Sequence, residues 1–256
     1  MIELLSPREI DFMREAGRMT SSVLQELEGK VVPGITTAEL DREAEKVIRD
    51  LGGEPAFKGY HGYPACICTS VNEEVVHGIP GRRIIQKGDL LSIDVGVRYH
   101  GYYGDSAFTF SVGEMDADSQ RLLEATYQAL FRGIEQAVVG NRIGDIASAV
   151  QKSAESHHFS VVRDYVGHGI GSEMHQDPQV PNFGEPHQGI LLKKGMVLAI
   201  EPMVNRGTYE VELLQDGWTV RTKDGKRSCH FEHTVVVGEK EPEILTKWHL
   251  KKNRLK

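Results

Sequence analysis

Four acidic residues lie inside apolar runs that otherwise resemble buried β-strands: Asp94, Asp105, Glu201 and Glu232. A buried carboxylate without a partner costs several kcal/mol, and a salt bridge to Arg or Lys is the ordinary explanation for any one of them. No obvious basic partner stands within the strand of any of the four. Divalent cations satisfy clustered carboxylates well. The set therefore predicts a metal site, which requires a fold that brings the four acids together.

Two segments of the chain repeat each other 107 positions apart. Residues 87–94 (KGDLLSID) align with residues 194–201 (KGMVLAIE), and the same shift places His61 on His168. An acid ends both copies, so two carboxylates are expected near the axis between two similar halves. Facing acids repel each other unless a cation or a shared proton neutralises them. Coincidence among common Lys-Gly turns is the alternative, but the Lys-Gly pair, the terminal acid and the His-Gly pair all match at one offset, which favours a duplication.

Three histidines beside turn residues could serve the same site. His168 is flanked by glycines, which leave an imidazole room to approach a ligand. His77 precedes Gly78, and His175 lies close to a turn before Pro178. Each histidine taken alone is more often a surface or structural residue. The sequence contains no His-Glu-x-x-His helix, Gly-x-Ser-x-Gly elbow or Cys-x-x-Cys pair.

The composition is that of an ordinary globular protein of 256 residues with a net charge of −7, which argues against a dominant nucleic-acid surface. No run approaches the ~18 apolar residues of a membrane helix, and the N-terminus lacks the apolar stretch of a signal peptide. Three cysteines form no disulfide framework or zinc-knuckle spacing. We therefore expect a reduced, cytoplasmic protein without a membrane role.

The elements around these residues follow one order twice. Capping boxes at Ser6–Glu9 and Thr36–Glu39 predict two helices, which end near Glu28 and at Gly52-Gly53. Strands are then predicted over residues 65–71, 89–97 and 102–111. A hairpin turn at 98–101 would make Asp94 and Asp105 neighbours on one face.

The second half repeats helix, helix and strands. Its helices are predicted over about 118–138 and from Ile143 onwards, and its strands over residues 161–166, 196–205, 208–214 and 231–237. The whole indicates an α+β fold and a single domain, 1–256, made of halves that span roughly 1–112 and 113–256.

Short motifs occur in order along almost the whole chain: His61-Gly62-Tyr63-Pro64, Val76-His77-Gly78-Ile79-Pro80, Asp94-Val95-Gly96, Gly104-Asp105, Gly167-His168-Gly169-Ile170-Gly171, Met174-His175, Glu201-Pro202-Met203 and Phe231-Glu232-His233-Thr234. Together they resemble those of the type I methionine aminopeptidases. That family has the pita-bread fold, a pseudo-two-fold repeat of helices packed on a curved antiparallel sheet around a dinuclear metal centre. No zinc-binding extension precedes the first helix, so the resemblance is to the short, bacterial-style form.

The resemblance implies five metal ligands and two divalent cations drawn from Co, Mn, Fe and Zn. The ligands would be Asp94, Asp105, His168, Glu201 and Glu232. Four acids carry about −4 against +4 from two cations, so such a centre nearly neutralises itself. By the same resemblance, water activated by the cations attacks the first peptide bond of nascent polypeptides whose second residue is small. His77 and His175 would contact the substrate and the reaction intermediate, and Glu201 would be a proton shuttle.

The resemblance also implies an apolar pocket for the methionine side chain. The matching positions are Phe57, Tyr60, Tyr63, Cys68, Met174 and Trp218. Aromatic walls and sulfur suit a thioether, although each residue alone would more often be ordinary core. The family varies at Phe57 and Met174, and the string Ser228-Cys229-His230 departs from its pattern.

Basic residues at 221, 223, 226 and 227 and in the tail 247–256 give a hypothesis of docking at the ribosomal exit tunnel, with a solvated loop as the ordinary explanation. We expect a monomer. Three alternative functions are a proline-directed aminopeptidase of the same fold, a binding protein that has lost its metal, and a metal-free dicarboxylate enzyme.

Overall fold

The computed structural model describes residues 2–249. Its long helices come in two pairs: α1 (Pro7–Glu28), α2 (Thr37–Asp50), α3 (Ala117–Ile134) and α4 (Ile143–Ser156). Both predicted capping boxes form, since the side chains of Ser6 and Thr36 accept from the backbone of Glu9 and Glu39, which bond back. The helix predictions are therefore confirmed for the first pair.

In the described range, residues 2–249, fifteen short or medium strands follow or separate these helices. They are β1 (Glu54–Pro55), β2 (Ile67–Val71), β3 (Glu74–Val76), β4 (Leu90–Tyr99), β5 (Tyr102–Ser111), β6 (Ser160–Val161), β7 (Gly167–Gly169), β8 (Gln176–Val180), β9 (Val197–Ile200), β10 (Met203–Asn205), β11 (Val211–Leu213), β12 (Val220–Thr222), β13 (Ser228–His230), β14 (His233–Val236) and β15 (Glu243–Ile244). A 3₁₀ turn, Tyr60–Gly62, lies between β1 and β2.

All strand pairs in the described part are antiparallel, and they form four sheets. The first half supplies a sheet in which β4 pairs with β1, β2 and β5. The second half supplies a five-stranded sheet in the order β15-β14-β9-β7-β8. Two three-stranded sheets, β13-β10-β6 and β11-β12-β3, complete the set. The α+β prediction is confirmed.

The longest hairpin joins β4 to β5 and positions two of the acids. Its turn is His100-Gly101, with left-handed φ angles of 48° and 85°, as a two-residue hairpin of this twist requires. The register pairs Gly96 with Asp105. Asp94 is two residues further along the same strand and on the same face, so the predicted proximity of Asp94 to Asp105 is confirmed.

The strand predicted over 196–205 is interrupted, which corrects the sequence prediction. It divides at Glu201-Pro202 into β9 and β10, and these belong to different sheets. Proline has no N–H to donate to a ladder, so a strand interior is a poor place for it. The break leaves the Glu201 side chain at the end of a strand, where it faces a cavity.

Other predicted boundaries are also too long. The helix predicted to residue 138 ends at Ile134. The N–H groups of Gln136 and Ala137 donate to carbonyls three residues back, not four, and Val139 N–H donates to the carbonyl of Gly238 at 2.8 Å. Over residues 161–166 only Val161 remains in a strand, and residues 208–214 keep only Val211–Leu213. The ends of these predicted elements contact distant parts of the chain, and local sequence patterns do not encode such contacts.

The largest hydrophobic cluster draws side chains from all four helices and from strands of both halves, including Leu24, Ile48, Leu130, Val150 and Leu198. Gly104 shows how closely α1 approaches the sheet: a Cβ there would lie 2.7 Å from backbone atoms of Ala16 and Gly17. Glycine is thus required beside Asp105 for this helix to pack.

No helix between residues 2 and 249 has the length and apolar character needed to span a membrane. The three cysteines are free thiols, and all are buried.

Candidate active site

One cavity of about 430 Å³ contains nearly all of the residues singled out from the sequence. This volume is in the range of small-molecule and peptide-end pockets. The predicted site residues that line it are Phe57, Tyr60, Tyr63, Cys68, His77, Asp94, Asp105, His168, His175, Glu201, Trp218 and Glu232. Met174 does not line the cavity; it is buried behind the wall, in a cluster with Phe57 and Cys68.

The five predicted metal ligands come from separate elements of both halves. Asp94 and Asp105 lie on β4 and β5, His168 lies on β7, Glu201 follows β9, and Glu232 lies between β13 and β14.

Direct hydrogen bonds hold the two halves together at this point. Glu232 N–H donates to the carbonyl of Ala107 at 2.9 Å, and the Ser106 hydroxyl donates to the carbonyl of Glu232 at 2.7 Å. The backbone of Glu232 is therefore fixed against β5, directly beside Asp105.

Donor atoms of three predicted ligands lie close to one another. One donor atom each from Asp105, His168 and Glu232 lies within 4.8 Å of the other two. His168 Nε2 is 3.5 Å from Glu201 Oε1 and 3.8 Å from Asp105 Oδ2. Oxygen and imidazole donors at such spacings can share a cation of the Mn, Fe, Co or Zn type.

The tautomer of His168 suits it to bind a cation. Its Nδ1 is 2.9 Å from the carbonyl oxygen of Gly169, and a carbonyl can only accept, so Nδ1 carries the proton. Burial lowers the pKa of His168 to about 3, so the ring is neutral at physiological pH. Nε2 therefore presents a lone pair to the carboxylates, as in histidine–metal sites.

Without a cation the four acids destabilise one another as anions. Burial raises the pKa of Asp94 to about 7 and that of Glu201 to about 8. Burial and the neighbouring carboxylates raise the pKa values of Asp105 and Glu232 well above their usual range. Such shifts are typical of acids assembled for a function.

A second observation, the lack of hydrogen-bond partners at three carboxylate oxygens, also indicates that these residues suit divalent cations. Asp94 Oδ1, Asp105 Oδ1 and Glu232 Oε1 are buried and have no hydrogen-bond partner in the described part of the chain. Buried polar atoms are normally satisfied. Carboxylate oxygens that have no hydrogen-bond donor beside them are suited to bind divalent cations.

The other end of the cavity is apolar and aromatic. The rings of Tyr63 and Trp218 meet edge-to-face at 5.0 Å, and Phe57 packs against Tyr63 at 6.5 Å. The Tyr63 hydroxyl is turned away from the cavity toward the carbonyls of Ile67 and Gly78. Its polar atom is satisfied there, so the ring presents an apolar surface.

His77 and His175 lie between the acidic and apolar ends. His175 Nδ1 is 2.9 Å from Tyr60 Oη, and its ring is 4.3 Å from that of His168. The His77 ring contacts the edge of Trp218 at 6.5 Å. Burial lowers the pKa of both histidines, that of His77 to about 4, so both are neutral.

Sequence reasoning missed several residues at the site. Val76, Asp164, Tyr165, Val166 and Met203 also line the cavity. His230 is buried with its Nε2 3.4 Å from Glu201 Oε2. One signal could have found it, because residues i and i+2 of an extended chain share a face and His230 precedes Glu232 by two. The others lie in loops or short strands that have no pattern of their own.

The model of metallopeptidase family M24 matches residues 11–239. Methionine aminopeptidase 1 of Bacillus subtilis is 51% identical over 247 residues, which cover 96% of this chain and 100% of that relative. The crystal structure of methionine aminopeptidase from Thermotoga maritima has a TM-score of 0.95 at 46% identity, covering 96% of this chain and 100% of that one.

A more distant structure shares the fold alone. The prolidase from Pyrococcus horikoshii OT3 has a TM-score of 0.79 at 21% identity, over 97% of this chain and 64% of the prolidase chain. Both neighbours have the pita-bread fold, which confirms the fold implied by the sequence motifs. From the matched length and identity, the chain belongs to metallopeptidase family M24 and, within it, to the methionine aminopeptidases.

Proposed function

We propose that this protein removes the N-terminal methionine from polypeptides whose second residue is small, using two divalent cations. The observation that carries the proposal is the cavity itself, which is lined both by the five predicted metal ligands and by the aromatic residues of the predicted methionine pocket. The chain is 51% identical to methionine aminopeptidase 1 of Bacillus subtilis over the full length of that relative. The reaction is hydrolysis of the first peptide bond.

Asp94, Asp105, His168, Glu201 and Glu232 would hold the cations. When bound, the cations supply a water of lowered pKa as nucleophile and positive charge to stabilise the oxyanion. The unsatisfied carboxylate oxygens and the Nε2 lone pair of His168 support this assignment.

The chain's own residues orient the substrate. The free N-terminal amine of the substrate would bind at the metal centre in its neutral form, which restricts cleavage to chain ends. His175, held by Tyr60, and His77 would contact the carbonyl of the scissile bond and the intermediate. Glu201 would accept a proton from the attacking water and pass it to the leaving amine.

The side-chain pocket would accept methionine by dispersion and sulfur–aromatic contacts with Phe57, Tyr63, Cys68 and Trp218. Met174 supports the pocket from behind without reaching its surface. A long unbranched side chain fits such a slot better than a β-branched one.

The test is hydrolysis of Met-Ala-Ser and of Ala-Pro-Ala by chelator-stripped protein, before and after addition of Mn or Co. Metal-dependent release of methionine from the first peptide alone is expected. Cleavage of the second peptide alone would instead favour the proline-directed enzyme, and no cleavage with any metal would favour the binding protein. Met-Val-Ser should be cleaved more slowly than Met-Ala-Ser if the second residue must be small.

We further propose that residues 1–256 work as one catalytic domain, whose halves 1–112 and 113–256 each supply ligands. The shared hydrophobic cluster and the hydrogen bonds from Glu232 to β5 support this. A cytoplasmic location is supported by three buried free thiols. A monomer is expected and would be tested by analytical ultracentrifugation.

We also propose docking at the ribosome, through the basic loop at residues 221–227 and the tail. The basic side chains of the loop at residues 221–227 form ion pairs with acids: Arg221 with Glu212, Lys223 with Glu210, Lys226 with Asp224 and Arg227 with Asp116. Such pairing leaves little net positive charge on this loop. The tail beyond residue 249 lies outside the described residues. Charge reversal at the loop and tail, followed by ribosome co-sedimentation, tests the proposal, and unchanged co-sedimentation would contradict it.

A further inference from the structure

The Glu201 carboxylate lies between two imidazoles, only one of which belongs to the predicted ligand set. His168 Nε2 is 3.5 Å from Oε1, and His230 Nε2 is 3.4 Å from Oε2. Each carboxylate oxygen therefore faces a different ring. Oε1 faces His168 on β7, and Oε2 faces His230 on β13.

The position of His230 is fixed by its backbone. Its N–H donates to the hydroxyl oxygen of Thr109 at 3.0 Å, and that hydroxyl donates to the carbonyl of His230 at 2.7 Å. In the sheet His230 pairs with Met203, two residues after Glu201. The imidazole and the Glu201-Pro202 turn are thus held side by side on neighbouring strands.

The imidazole of His230 is buried beside the Glu201 carboxylate and also interacts electrostatically with Asp94. The residue is 1% exposed, and Nε2 has no hydrogen-bond partner that satisfies distance and angle in the part of the chain that the structure describes. A buried polar atom left unpaired costs about 1–3 kcal/mol. The Glu201 oxygen at 3.4 Å is close enough that a small rotation of either side chain would complete a hydrogen bond.

We propose that His230 is a positioning residue for Glu201: its Nε2–H donates to Oε2 and thereby keeps Oε1 directed at the metal centre. The inference rests on the proposed role of Glu201 as a metal ligand. A carboxylate that is held by a second donor loses less freedom when it binds a cation, and such outer partners change metal affinity by about 10–100-fold.

The test compares His230→Leu, which removes the donor, with His230→Gln, which keeps an N–H donor on a similar length of side chain. The full chain is stripped of metal with chelator and then titrated with Co(II). Binding is measured by isothermal titration calorimetry and by the visible absorption of the bound ion. His230→Leu should weaken Co(II) binding about 10–100-fold, while His230→Gln should restore most of the affinity. Thermal unfolding of each stripped variant separates loss of affinity from loss of fold.

Glu201→Gln is titrated in parallel, so the two proposals can fail separately. Unchanged Co(II) binding by Glu201→Gln would overturn the role of Glu201 as a ligand. Loss of binding by Glu201→Gln with wild-type affinity in His230→Leu would overturn only the role of His230. Equal impairment of the Gln and Leu variants would also overturn it, because the donor would then not matter. If His230→Leu does not fold, His230→Met takes its place as the donor-free variant.

Discussion

Asp105 and Thr234 exchange two hydrogen bonds across the junction of the two halves. Asp105 N–H donates to Thr234 Oγ1 at 3.0 Å, and the same hydroxyl donates to the carbonyl of Asp105 at 2.8 Å. Thr234 is fully buried. One side chain on β14 thus satisfies both backbone groups of a candidate metal ligand on β5, and fixes where that ligand stands.

Thr234→Val should therefore destabilise the protein while preserving side-chain volume. It leaves a buried N–H and a buried C=O of Asp105 unpaired, at about 1–3 kcal/mol each. We expect the free energy of unfolding in chelator to fall by about 2–4 kcal/mol, measured by urea denaturation. Thr234→Ser, which keeps the hydroxyl, is the matched control and should lose much less. Equal stability of the Val and wild-type proteins would show that the junction relaxes around the missing bonds.

Asp105→Asn should have opposite effects on stability and metal binding. The amide has nearly the shape of the carboxylate but removes one acid from a buried, mutually repelling group. The stripped variant is expected to unfold a few degrees above the stripped wild type, yet to bind Co(II) at least about tenfold more weakly. Differential scanning calorimetry and Co(II) titration measure the two effects. A stripped variant that is less stable than wild type would mean that the carboxyl group makes a net favourable contribution.

His175→Ala should lower kcat more than it raises KM, because the imidazole is proposed to act on the carbonyl and the intermediate. A loss of about 10²–10⁴-fold in kcat is expected for such a group. Tyr60→Phe removes only the 2.9 Å contact that orients the ring and should cost about tenfold or less. Steady-state kinetics on Met-Ala-Ser with saturating metal distinguish these outcomes. An unchanged kcat in His175→Ala would remove this residue from the reaction.

The stability of the metal-free protein should fall as pH rises from 7 to 8. Above pH 7 the buried histidines, whose pKa values are lowered, are neutral in both the folded and unfolded states. The carboxyls of Asp94 and Glu201, with pKa values of about 7 and 8, still hold protons in the folded state. In the unfolded chain, ordinary carboxyls near pKa 4 hold none.

The folded state therefore binds more protons than the unfolded state across this interval, so the free energy of unfolding decreases with pH. Each proton of difference gives a slope of about 1.4 kcal/mol per pH unit. Urea denaturation in chelator at several pH values measures the slope, and excess Mn should flatten or reverse it, because cation binding needs the deprotonated acids. A stripped protein that gains stability over this interval would contradict the raised pKa values.

Local patterns in the sequence account for much of the architecture. The capping boxes at Ser6 and Thr36 define helix starts because their hydrogen bonds span only three residues. The His100-Gly101 turn sets the register of β4 with β5, and so the distance from Asp94 to Asp105, because a two-residue turn leaves one pairing. Acids inside apolar runs, repeated after 107 residues, pointed to the side chains that surround the cavity.

The remaining features depend on contacts between residues far apart in the chain. At Glu201-Pro202 the chain passes from one sheet to another. Two contacts then link segments of different halves or sheets: the hydrogen bonds between Thr234 and Asp105, and the imidazole of His230 beside Glu201. Hydrophobic periodicity and turn residues reflect interactions over a few positions, so they do not predict contacts between residues far apart in the chain. The candidate ligands could therefore be chosen from residue types and order, whereas the groups that hold them in place became visible only once the two halves were packed together.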